Sequence, residues 1–173
     1  MRVFLDFEAS SLGKKSYPIE VGWVFEDGRE RDYLIRPAPG WTEWDPGAEA
    51  MHGISRERLL AEGTPHEVVC DRLVQLFAGN VVYASSPPWD GKWLSMLLRG
   101  AGRPRHLLRL RDSDEAFTEA ARERLGPGAD DAAVAAAIEK AREAVDPEAV
   151  IHRALADARR EWEIWRELTP TPA

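Results

Sequence analysis

The sequence predicts an α/β fold: a mixed five-stranded sheet with helices on its faces. Apolar runs with strand character fill the start of the chain, in "RVFLDF", "IEVGWVF" and "ERDYLIR". Helical periodicity then alternates with short apolar strands, and the last third is alanine-rich and helical. The resulting order, β-β-β-α-β-α-β-α, suits a mixed sheet covered by helices.

The first strand is expected from about Arg2 to Phe7, the second from Ile19 to Phe25 and the third from Glu30 to Arg36, with "EDGR" turning between the last two. Pro37, Pro39 and Gly40 end this run and open a long loop, "APGWTEWDPGAEAMHGI", before a short helical turn after Ser55. "TPHEVVCDRLVQLFAG" reads as a helix with Thr64 as N-cap, Pro65 at its first position, Glu67 completing a capping box and Gly79 closing it. Val68, Leu73, Leu76 and Phe77 form its apolar side. "VVYAS" is a short buried strand, "DGKWLSMLLRGAG" a helix from about Asp90, and "HLLRL" the fifth strand. Two surface helices follow, near Asp114–Leu125 and Asp131–Val145, separated by "GPG". Asp146 and Pro147 mark the start of a final helix that runs to about Leu168, with Leu155, Trp162 and Trp165 on its apolar side. With no repeat and no long linker, one domain over 1–168 and a frayed tail over 169–173 are expected.

The chain has 173 residues and a formal net charge of −7, which argues against binding nucleic acid through a broad basic surface. A contact with a strand end remains compatible with that charge. "RGAGRPRHLLRLR", Arg99 to Arg111, holds five arginines and no acid, and is read as a solvated turn and edge strand in preference to a phosphate-tracking patch. Cys70, the single cysteine, sits among Val68, Val69 and Leu73 and is assigned to the core. No signal pattern or membrane-length apolar stretch is seen, so a cytoplasmic location without membrane contact is expected.

The first strand carries two carboxylates, Asp6 and Glu8, and residues two apart on a strand share a face. Like charges at the edge of a core are costly unless a cation or hydrogen bonds compensate, so something positive is expected there. Asp90 lies at the opening of a later helix, and Asp157 follows His152 by five positions near the end of the chain. An oxygen-rich, cysteine-free set of this kind suits Mg²⁺ or Mn²⁺ over zinc. Two ions about 3.5–4 Å apart would clamp the attacking and leaving oxygens of a phosphodiester displacement.

The pieces "FLDFEASSLG", "IEVGWV", "MHGISRERL" with the "GTP" that follows, "PPWDGKWL" and "IHRALADAR" occur in an order that resembles the DnaQ-like 3′–5′ exonucleases, a family within the ribonuclease H-like fold. The resemblance spans Val3 to about Leu168. It implies that Asp6, Glu8, Asp90 and Asp157 hold two metal ions and that His152 is the general base, an apt choice because imidazole titrates near working pH. It implies a single-stranded 3′ end as partner, nucleoside 5′-monophosphates as products, and a homodimer. It also places Ala9, Ser10, Leu12 and His52 against the terminal nucleotide. Two departures stand out: Ala9 where relatives often have threonine, and "SSPPWD" where they commonly have Asn-x-x-Phe-Asp. Alternative readings are a metal-dependent phosphohydrolase of small nucleotides and a non-catalytic nucleic-acid-binding module of the same fold; the presence of all five site residues weighs against the second.

Overall fold

Alternation along the first strand decides which helices lie on which side of the sheet. In the computed structural model, which describes residues 1–145 and 152–169, Val3, Leu5 and Phe7 point to one face and Phe4, Asp6 and Glu8 to the other. The strands are β1 (Arg2–Ala9), β2 (Pro18–Phe25), β3 (Glu30–Arg36), β4 (Thr64–Pro65), β5 (Val81–Ala84) and β6 (Leu110–Asp112). The helices are α1 (Pro46–His52), α2 (Arg56–Glu62), α3 (His66–Phe77), α4 (Pro87–Gly100), α5 (Ser113–Leu125), α6 (Asp131–Ala144) and α7 (Ala154–Leu168).

The sheet runs β4-β3-β2-β1-β5-β6, with β1 antiparallel to β2 and parallel to β5. Val3, Leu5 and Phe7 join Val21, Trp23 and Phe25 of β2 under α3 and α4, which supply Val69, Cys70, Leu73, Phe77, Trp93, Leu94, Leu97 and Leu98. Phe4 and Tyr83 meet α5, α6 and α7 on the other face, around Phe117, Val134, Ile164 and Trp165. Cys70 is fully buried, as expected of a core residue, and burial pushes its thiol up to about 11. No helix among the described residues is long and apolar enough to cross a membrane.

Among the described residues the sheet has six strands, one more than expected. Thr64 and Pro65 pair in parallel with Ile35 and Arg36, so Thr64 is a strand residue and not the N-cap of the next helix. Pro65 occupies the N-cap position of α3 without a side-chain hydrogen bond, and the expected capping box does not form. The buried side of α3 uses His66, Val69, Cys70, Leu73 and Phe77, while Val68 and Leu76 are exposed. The long loop contains α1, capped by Asp45, whose side chain accepts from the Gly47 amide at 2.8 Å. The last strand is Leu110–Asp112 in place of "HLLRL", and α4 begins at Pro87. Asp146 and Pro147, the expected start of the last helix, lie outside the described residues, as do residues 170–173 of the expected tail. Thr169 closes α7, its hydroxyl donating to the Trp165 carbonyl at 2.9 Å.

Candidate metal centre

The neighbours of the two strand acids on β2 explain how a third carboxylate reaches them. Asp6 stands opposite Gly22 and Glu8 opposite Glu20 in the antiparallel register. Opposed residues share a face, so the side of the sheet that carries the acids has a floor of bare backbone at Gly22. Helix α7 rests on that floor: a Cβ at position 22 would collide with the backbone of Ala154 and Leu155. Asp157, in the first turn of α7, is thereby brought down onto β1. One carboxylate oxygen from each of Asp6, Glu8 and Asp157 lies within 4.8 Å of the other two.

Asp90 arrives from the opposite layer. The β1–β5 pairing covers only Arg2 to Phe4, and past Ala84 the chain turns away into α4. The Phe7 amide, left without a strand partner on that side, donates to Asp90 Oδ1 at 3.2 Å. Asp90 is the fourth residue of α4, after Pro87, Pro88 and Trp89, with Ser86 in the N-cap position. It is 1% exposed. It stands outside the trio but close enough to Asp6 to be the first charge that perturbs it.

Burial holds all of these carboxyls above the ordinary range, and neighbouring acids add to it. Asp6 is raised well above it, by burial first and then by Asp90, Asp157, Glu8 and Glu161. Glu8 is raised to about 8 by burial, Asp157 and Glu20, against Arg153. Asp90 is raised to about 7 by burial, against the amides of Phe7 and Ser86. Asp157 is raised by burial, while His152 and Arg160 pull it down. Arg153 is a positive neighbour of Glu8, but its guanidinium is bound to Glu20. An all-oxygen, crowded, half-buried set of this kind fits a hard divalent cation.

His152 lies beside Asp157, just before α7, with a left-handed backbone at φ 43°. Leu12 is 69% exposed in the loop after β1. Ala9 and Ser10 are buried, and the Ser10 hydroxyl accepts from the Tyr17 amide at 3.2 Å, giving it an internal role. His52 is also buried; its Nδ1 accepts from the Ile54 amide at 3.1 Å, and burial lowers its pKa against the pull of Glu20 and Glu49. Trp93 is a core residue that donates to the Ser16 hydroxyl at 3.1 Å. Trp41 stacks on Tyr17, and Trp44 donates to Glu49. In the arginine-rich segment, Arg103 pairs with Asp71 and Arg111 with Glu115 and Glu119, while Arg105, His106 and Arg109 line a cavity of about 510 Å³ together with Lys92.

Two acids at the site were not singled out from the sequence. Glu161 sits one helical turn beyond Asp157 and raises both Asp6 and Asp90. Its signal was an acid spaced with Ala154, Ala158 and Trp165 on the buried side of α7. Glu20 is 1% exposed in the centre of "PIEVGWVF", a strand buried at every position. A lone acid in such a strand requires a partner, and that requirement was the signal.

No protein-family model matches the sequence, and no curated protein matches it. Solved structures do share its architecture. E. coli exonuclease I in complex with a dT13 oligonucleotide superposes with a TM-score of 0.65 at 17% identity, over 93% of this chain and 39% of that one. The zinc-bound form of the E. coli exonuclease I–ssDNA complex gives a TM-score of 0.64 at 16% identity, over 93% and 38%. A further structure of exonuclease I gives 0.66 at 16% identity, over 93% and 39%. The chain thus spans about two fifths of the length of these proteins. It has the ribonuclease H-like fold that exonuclease I of E. coli shares.

Proposed function

We propose that this chain is a metal-dependent 3′–5′ exonuclease that shortens single-stranded nucleic acid and releases nucleoside 5′-monophosphates. The observation that carries this reading is the convergence of Asp6, Glu8 and Asp157, with Asp90 on the neighbouring amide and His152 beside Asp157. The shared fold with exonuclease I, whose solved complexes contain single-stranded DNA, supports it.

In this reading Asp6, Glu8, Asp90 and Asp157 hold two Mg²⁺ or Mn²⁺ ions, which supply charge neutralisation at the attacking and leaving oxygens when bound. The residues of the chain do the rest. His152 accepts the proton of the water that attacks the terminal phosphodiester, a step a positioned base accelerates by about 10²–10⁴-fold. Asp90, fixed by the Phe7 amide, keeps its carboxylate at the end of β1. Leu12 presents an apolar side chain at the loop after β1, where a terminal base can pack.

The test is product analysis on 5′-labelled single-stranded DNA and RNA with Mg²⁺ or Mn²⁺. A ladder that shortens stepwise from the 3′ end, with 5′-monophosphates released and full inhibition by chelator, is the expected result. Turnover of mononucleotides alone, or no turnover with either ion, overturns the proposal.

A further inference from the structure

Helix α7 begins without a cap of its own. Arg153 occupies its N-cap position and makes no side-chain capping bond there. The Ala154 amide at that helix start donates instead to Glu20 Oε2 at 3.1 Å, across 134 positions of chain. The same carboxylate takes Arg153: Nε lies 2.9 Å from Oε2 and 3.1 Å from Oε1, and Nη2 closes a second arm on Oε1. One 1% exposed carboxylate on β2 therefore holds both the side chain and the following amide at the entrance to α7.

The placement of this clasp matters more than its strength. His152 precedes Arg153 directly, and its left-handed backbone is a conformation that persists only when the surroundings impose it. Asp157 follows Arg153 by one helical turn, and its amide donates to the Arg153 carbonyl at 3.0 Å. Gly22, two positions along β2 from Glu20, is the floor on which Ala154 and Leu155 rest. Buried ion pairs are weak sources of net stability, but their geometry can select one arrangement.

We propose that Glu20 is a positioning residue that, through Arg153 and the Ala154 amide, fixes the chain between His152 and Asp157 so that both enter the acidic cleft in register. The proposal rests on the exonuclease reading for the roles of His152 and Asp157. Glu20 touches neither the metal ligands' cation nor the substrate in this account; it acts on the segment that does.

The experiment compares wild type with Glu20→Gln, Arg153→Ala and the double variant. The double variant leaves no buried charge unpaired, so it carries the test if a single variant does not fold. Loss of such a supporting contact lowers kcat by about 10–100-fold. KM for a single-stranded oligonucleotide is expected to stay within about twofold of wild type, because uniform binding is untouched. The double variant is expected to lose little more than the worse single one, since both substitutions break one unit. A second readout needs no turnover: Mn²⁺ added to the protein should broaden the His152 ring resonances strongly in wild type and less in the variants.

Folded variants with wild-type kcat and undiminished broadening overturn the proposal while leaving the exonuclease reading intact. Wild type that binds Mn²⁺ without cleaving DNA or RNA overturns the exonuclease reading, and the broadening comparison then decides the positioning claim alone. Wild type that takes up no Mn²⁺ overturns both.

Discussion

The Phe7 amide and the Asp90 carboxylate meet at 3.2 Å across 83 positions of chain, where the parallel neighbour of β1 has already turned away. This bond gives Asp90 two separable duties, a backbone acceptor and a charge. Asp90→Asn keeps an acceptor for Phe7 and removes the charge. It is expected to fold with an unchanged or raised Tm at pH 8 and to lose metal-dependent cleavage. Asp90→Ala also leaves the amide unpaired, at a cost of about 1–3 kcal/mol. Thermal unfolding of the two variants, run beside a cleavage assay, separates the duties; equal Tm values would remove the acceptor role.

The raised carboxyls predict how stability varies with pH. Glu8 moves from 4.5 to about 8 and Asp90 from 3.8 to about 7, so between those limits the folded protein holds protons that the unfolded chain has released. Their contribution is fully present below about pH 4 and is lost as pH rises through about 7 to 8. The metal-free Tm should therefore fall between pH 5 and pH 9. Mn²⁺ should restore it, and more at pH 8 than at pH 6, because protons compete with the ion. Calorimetry with chelator and with Mn²⁺ checks this, and a metal shift independent of pH would refute it.

Gly22→Ala tests the seat of α7. The added methyl meets the backbone of Ala154 and Leu155, which cannot swing aside as a side chain can. A loss of about 1–3 kcal/mol in urea unfolding is expected from such overpacking. Cleavage should fall as well, because lifting α7 draws Asp157 away from Asp6 and Glu8. Full activity in a destabilised protein would show that the approach of α7 is not what sets the site.

His152 allows stability and catalysis to be moved in opposite directions. Its φ of 43° suits glycine better than any residue with a Cβ. His152→Gly is expected to be at least as stable as His152→Ala, while both lose about 10²–10⁴-fold in single-turnover rate. An unchanged rate in either variant would take His152 out of the chemistry.

Much of this was legible in the chain itself, for physical reasons that differ by element. The period-two alternation of β1 places Asp6 and Glu8 on one face, and the joint order of these acids, Asp90 and the His152–Asp157 pair points to the last helix as a further source of carboxylate. What was hidden lay in tertiary choices. Thr64 and Pro65 carry a good helix-start signature, yet an open sheet edge beside Ile35 claims their backbone. Asp45, Pro46 and Gly53 spell out the cap, first turn and end of α1 and were readable as such. Val68 and Leu76 were placed on the wrong side of α3 because its apolar stripe is shared with His66 and Cys70. That Glu20 needs a partner was legible, but nothing local shows which distant arginine it will meet.

The seating of α7 on a carboxylate in β2 also ties the cluster to a contact that is distant in sequence. The acids of β1 and the helix that completes their cluster come from opposite ends of the described fold, and the Glu20–Ala154 bond that seats the helix spans 134 positions. A nascent chain halted before that helix holds an open, mutually repelling pair with no third arm to close it. Closing the fold and assembling the three-acid cluster are therefore one event.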